Sequence, residues 1–343
     1  AEASRPLTMV EIAAVDGPLD ERTLAWVGRL YGEVDPRYHR RAFLEHLFVE
    51  GPAGPALHAF ATSAGEPVGH VAVVPTPARR GAKPLRAGKL EALVVADSHR
   101  GRGGGDVPVA RTMLERLYER ADAQGVELIH AYVLPPVGRV IGFTRLDGVG
   151  LPSLVAVIRP RNPAERALAT IQRAARMTAH AALRASGSRA LVRPVAPEDT
   201  DLLDAPAVPG DAWAIVANGA LGWYERSPYV RVLELTGPDD SRGLVQLPGS
   251  PGEPLRVAAW HCPTPGTRAA IRFVVAVARL AEEHGATTLR LQHTRADPSL
   301  ARAARALGLV RRHDLTTLWV RSHDRSLARS EAVVPTSMLY LGF

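Results

Sequence analysis

The chain has 343 residues, 46% of them apolar and 22% charged, with a formal net charge of +7 and a single cysteine, Cys262. The length suggests two domains, each with a core of its own. One cysteine excludes an intrachain disulfide, no Cys/His group has zinc spacing, and no apolar run approaches the roughly 18 residues of a membrane span.

The positive excess is arginine; Lys83 and Lys89 are the only lysines. Such a balance fits either a solvated arginine-rich surface or a polyanionic ligand. The basic residues are spread along the chain without an RNA-binding signature, which points to a small polyanion such as a nucleotide diphosphate rather than RNA. The N-terminal stretch AEASRPLTMVEIAA lacks the apolar core of a signal peptide, so the expected compartment is the cytoplasm.

In chain order, LDERTLAWVGRLYGEV reads as a helix that opens on Asp20 and Glu21. A second helix is expected from Asp35-Pro36, a cap and first-turn pair, to Gly51. ALHAFATSAGEPVGHVAVVPTPARR gives two strands around a turn, and AKPLRAGKLEALVVAD gives a further strand pair. After the glycine-rich SHRGRGGGD come a helix ending at Gly125, the strand VELIHAYV, a glycine turn at Gly142 and the strand LPSLVAVIRP. The Ala/Arg-rich helix from Pro163 to about Ser186 reads as a connector. Beyond it a fainter copy of the same order returns. EHGATTLRLQHT answers AQGVELIHAYV, ALGLVRR answers VIGFTRL, and LTTLWVRS closes the second sheet. The expected domains are 1–160, a connector 161–187, a second domain 188–329 and a tail 330–343.

The glycine-rich loop sits between a strand and a helix start. Free backbone N–H groups and the helix dipole favour an anion there, glycines let the backbone close on it, and arginines add charge-assisted contacts. The sequence lacks the Gly-Lys-Ser/Thr of a P-loop, and no acid ends the following strand as a dinucleotide fold requires. It matches R-x-x-G-x-G, with Arg100, Gly103 and Gly105 at the fixed positions.

That motif, its strand–loop–helix–strand context and Gly142-Phe143 resemble the GCN5-related N-acetyltransferase (GNAT) superfamily over about residues 69–148. The faint repeat makes the whole chain similar to the tandem-GNAT group, to which mycothiol synthase also belongs. The resemblance implies an α/β fold of two tandem GNAT-like domains, each a mixed, mostly antiparallel sheet flanked by helices. It implies acetyl-CoA or another acyl-CoA as co-substrate, no metal, and a small amine as acceptor. Val94, Val95, Arg100, Gly101, Arg102, Gly103, Gly104 and Gly105 would hold the coenzyme. The second domain is expected to be degenerate: Val95 lies 30 positions before Gly125, Trp260 only 25 before Gly285, and HCPTPGTR has no paired glycines.

Glu91 is the expected base, four residues before Val95 and so on the same strand face. The tyrosine that often serves GNAT enzymes as acid falls on Gly138 here, which leaves His130 and Tyr132 as candidates. Tyr31, Asp35, Tyr38 and His39 are the candidate acceptor-binding residues. The C-terminal carboxylate of Phe343 could also reach the site. Two rival readings are a non-catalytic acyl-CoA-binding regulator or scaffold, and a transferase that takes its acyl group from aminoacyl-tRNA. A monomer or homodimer is expected, with no membrane partner.

Overall fold

The computed structural model describes residues 10–33, 35–100, 108–132, 141–146, 149, 153–185, 191–194, 208–215, 223, 226–227, 230–236, 241–248, 252–262, 266–292, 298–312 and 317–333. The chain divides into two compact units: 1–147 with 318–332, and 148–317 with 333–343. Both are α/β, with mixed, mostly antiparallel sheets and helices packed on them. Among the described residues no helix is long and apolar enough to cross a membrane.

In the first unit, β1 (Val10–Asp16), β2 (Leu57–Ser63), β3 (Glu66–Arg80) and β4 (Lys83–Val95) form an antiparallel meander. Ala64 and Gly65 both take left-handed backbone in the tight turn between β2 and β3. β5 (Leu128–Tyr132) joins β4 in parallel, and β6 (Thr144–Leu146) lies further out. Between β5 and β6 runs β15 (Leu318–Arg321, numbered in chain order), antiparallel to both.

Two helical layers cover this sheet. α3 (Val109–Ala123) places Met113, Leu114, Leu117 and Ala121 at helical spacing against Leu57, Val71, Val73 and Leu90. It stops at Gly125, whose φ of +73° needs a residue without Cβ. On the other face lies α1 (Glu21–Gly32), capped by Asp20, which accepts from the Thr23 N–H at 2.7 Å. The expected helix from Asp35 to Gly51 is instead three short pieces: a 3-10 turn (Pro36–His39), α2 (Arg41–Leu44) and a π-helical turn (Glu45–Val49). The change of winding lets Tyr38, Phe43, Leu47 and Phe48 all face inward.

The second unit holds β7 (Ser153–Val157), α4 (Pro163–Ala185), β8 (Leu191–Pro194), β9 (Trp213–Ile215), β10 (Val230–Thr236), β11 (Ser241–Gln246), β12 (Leu255–His261), α5 (Thr267–Glu283), β13 (Thr288–Gln292), α6 (Pro298–Ala306) and β14 (Val310–Arg312). Its sheet runs β14-β7-β13-β12-β11-β10-β8. Phe273, Val274, Val277 and Ala281 of α5 pack on Leu255, Val257, Leu289 and Leu291.

Two sequence expectations change here. The sequence order puts the strand LPSLVAVIRP in the first domain and LTTLWVRS in the second. The structure exchanges them: β7 lies between β13 and β14, and β15 lies between β5 and β6. A boundary near 160 therefore gives way to one at 147, with 318–332 returning to the first unit. The helix at 163–185 is no linker either. Its Gln172 is fully buried, accepts from the Val157 N–H at 2.8 Å and donates to the carbonyls of Val155 (3.2 Å) and Gly308 (2.9 Å). Buried backbone groups needed those partners, so the helix is part of the second unit's core.

Candidate active site

Strand β4 carries the geometry. Glu91 pairs with Ala72 on β3 and Val94 with His70, so three steps on β4 match two on β3. The extra residue is a β-bulge, and Ala92 within it has φ +52°. Alternation is reset there. Leu90 and Val95 both join the core beneath α3, so Glu91 faces the opposite side. The expectation that Glu91 and Val95 share a face fails for this reason.

β4 and β5 pair only from Ala87·Leu128 to Lys89·His130. Beyond that point the described residues of the two strands part, and Val94 and Val95, paired with β3 on one side, have no β5 partner among the described residues. Residues 96–108 then lead into α3. Gly101, Arg102, Gly103, Gly104 and Gly105 lie outside the described residues, as do Gly138 and Phe343. Arg100 is exposed; its Nε donates to the Val95 carbonyl at 2.9 Å and Nη1 pairs with Asp97 at 2.8 Å.

The face bearing Glu91 holds a polar row that sequence reading largely missed. Lys89 is buried two residues before Glu91, and its Nζ pairs with the Glu91 carboxylate. His130, paired across to Lys89, is 1% exposed and shares a contact of 3.3 Å with the Thr76 hydroxyl. Burial, then the neighbouring Lys89 charge, pushes the His130 imidazole down to about 3. It is neutral at pH 7 and holds no imidazolium proton to deliver, which weighs against it as general acid. The Tyr132 ring lies 6.2 Å from that of His130, edge to face. One signal for Lys89 was present in the sequence: one of only two lysines, in period-two register with the only acid of its strand.

Of the candidate acceptor residues, Tyr31 and Tyr38 converge near Glu91. Their rings are 4.3 Å apart. Burial, with help from the Glu91 and Asp35 charges, pushes the Tyr31 phenol up to about 12, and Tyr38 also lies well above its usual value. Both therefore stay neutral O–H groups. Tyr38 is 1% exposed and packs on Phe43 and Phe48, a core role; Tyr31 is half-buried. Asp35 is already engaged. It caps the Pro36 turn, accepting from the Arg37 N–H at 3.0 Å, and pairs with the Arg37 guanidinium at 2.6 Å. His39 is exposed, its ring lying over Gly32 where a Cβ would collide with it. Phe143 packs on Tyr118 in the α3 core, and Gly142 before it has φ +89°.

A comparison with family models matches residues 21–147 to the acetyltransferase (GNAT) family. That match falls within the first unit, over little more than a third of the chain. A comparison with curated proteins finds no match. Solved structures resemble the chain across both units. A GCN5-related N-acetyltransferase from Kribbella flavida aligns at TM-score 0.55 with 15% identity, over 92% of this chain and 72% of its own. An N-myristoyltransferase from Saccharomyces cerevisiae, solved with bound myristoyl-CoA, aligns at TM-score 0.60 with 8% identity, over 94% and 80%. A probable N-acyltransferase from Enterococcus faecalis aligns at 0.57 with 10% identity, over 92% and 73%. These likenesses establish the fold.

The second unit repeats the topology of the first. β12 is parallel to β13 as β4 is to β5, and β12 also carries an extra residue against β11, between Leu244 and Val245. Gly125 and Gly285 both end the long helix with left-handed backbone, at φ +73° and +68°. Superposing them sets His130 on Arg290 and, through the parallel pairs, Lys89 on Arg256 and Glu91 on Ala258. On this count Val95 falls on Cys262 rather than Trp260. Only residues 262–266 separate β12 from α5.

Proposed function

We propose that the chain is an acyl-CoA-dependent N-acyltransferase, most simply an acetyltransferase, with a small amine as acceptor. The observation that carries this reading is the parting of β4 from β5 beside the Lys89–Glu91 pair, in a domain matched to the GNAT family. The edge of β4 at Val94 and Val95, where no β5 partner lies among the described residues, offers backbone groups to an extended pantetheine chain. Residues 100–105 supply bare amides and guanidinium groups to the diphosphate. Because Arg100 already holds the Val95 carbonyl, its part is to shape the strand end, and the phosphate contacts fall to Arg102 and the glycine amides.

Glu91 is the base in this reading. It takes the amine proton directly or through a water, and Lys89 fixes the carboxylate in place. Tyr31, held as a neutral phenol near it, can donate a hydrogen bond to the acceptor. The second unit, with Ala258 where Glu91 would stand and a short link before its long helix, does not transfer acyl groups. The reading places the enzyme in the cytoplasm as a monomer or homodimer.

The test is thiol release with acetyl-CoA and an amine panel. Glu91→Gln is expected to lower turnover about 10²-fold or more while coenzyme binding persists. Coenzyme binding without turnover on any amine, unchanged by Glu91→Gln, would establish the regulator instead. Arginine-dependent RNA affinity that falls steeply with salt, together with transfer from aminoacyl-tRNA, would change the donor.

A further inference from the structure

The second unit contains a cavity of about 400 Å³ between the end of β7, the first half of α4 and the end of α5. Its charged lining is one-sided: Arg159, Arg166, Arg173 and Arg176 against the single carboxylate of Glu282. Arg166 and Arg173 are a heptad apart on α4 and so lie on one helix face. Arg159 reaches the wall beside Gly285, where a Cβ would come within 3.0 Å of its Nη2. Glycine at that turn, left-handed and without a side chain, makes room for the guanidinium.

Arg176 sets this cavity apart from an ordinary solvated arginine surface. It is 7% exposed, its Nη2 reaches Glu282 at 3.3 Å, and its Nη1 is enclosed without a hydrogen-bond partner. A buried guanidinium facing three like charges and one long ion pair is costly unless an anion offsets it. The planar fork of arginine matches phosphate oxygens, and a monocarboxylate would neutralise one charge among four.

We propose that this cavity is a binding site for a compact ligand bearing a multivalent phosphate group, such as a diphosphate. It lies wholly within the second unit, and the proposal does not depend on the acyl-transfer reading of the first. The polyanion partner suggested by the arginine excess then has a second address, one that no sequence motif marks. Three of its arginines lie on a helix whose pattern reads only as a connector.

The test is calorimetric titration of the full chain with inorganic pyrophosphate at low salt. Wild-type protein is expected to bind. Arg166→Gln and Arg173→Gln, both exposed positions that leave the fold intact, should each weaken binding about tenfold without changing acyl transfer. Glu282→Gln should tighten it about threefold by removing the only opposing charge. Because the coenzyme loop of the first unit could also take a diphosphate, the double variant is titrated in an Arg102→Ala background; pyrophosphate binding that survives Arg166→Gln/Arg173→Gln there would overturn the site. If it were instead lost in Arg102→Ala alone, the ligand would belong to the first unit and the proposal would fall. Arginine-dependent binding of an RNA oligonucleotide but not of pyrophosphate would overturn it as well.

Discussion

His130 illustrates how far burial alone can govern a side chain. Held neutral inside the sheet, with its folded value near 3 against an ordinary 6.5, it binds fewer protons than it would in the unfolded chain at mildly acid pH. The unfolded state gains protons first, so its stability contribution is complete above about pH 6.5 and is lost as pH falls toward 3. His58 and His70 act in the same direction. Both are fully buried, with ring nitrogens 3.0 Å apart, and burial depresses both. Urea unfolding should show stability falling by about 1.4 kcal/mol per pH unit for each such histidine below pH 6. His130→Asn should flatten that slope by about one proton; an unchanged slope would mean the imidazole is solvated. Ala92 allows a second test at this scale. At φ +52° it is strained, so Ala92→Gly should stabilise by up to about 1 kcal/mol and the β-branched Ala92→Val should destabilise by more.

Among the elements, those with strong local signals are where the sequence places them. The Asp20 cap, the Gly125 stop, the Ala64-Gly65 turn and the apolar stripe of α3 are each local, and each was legible. The bulge in β4 was not, since it adds one residue to a run that reads as continuous alternation. That single insertion turned Glu91 away from Val95 and toward Tyr31. The Lys89–Glu91 pair depends on ordinary alternation before the bulge and could have been read. The role of α4 was hidden for a different reason. Its exposed face is so rich in alanine and arginine that the one buried glutamine looks incidental. Gln172→Leu removes a hydrogen-bond partner from three backbone groups, two of them buried, and should cost about 3 kcal/mol in thermal unfolding, far more than a substitution in a linker.

At the scale of the molecule, the two units are not two consecutive stretches of chain. β15 is fixed in the first unit by Trp319 in the α3 core, by two hydrogen bonds of 3.1 Å from Arg321 to Asp122, and by the Arg321 guanidinium 4.4 Å from the Tyr118 ring. Beyond the strand, Arg80 holds Asp324 at 2.7 Å and Ser326 at 3.0 Å. A fragment of residues 1–160 therefore lacks a central strand of its sheet and should be recovered aggregated. Supplying 318–332 as a fused segment after residue 147 should restore a cooperative melt; equal solubility of the two fragments would refute the exchange.

The order of synthesis adds a constraint. On the ribosome, β5 and β6 emerge long before the strand that lies between them, and their open edges have no native partner until residue 321 has cleared the exit tunnel. For the time needed to translate the intervening 170-odd residues, roughly nine to thirty-four seconds at about 5–20 residues per second, the nascent first unit keeps two sheet edges open, the kind of surface that pairs wrongly unless it is shielded.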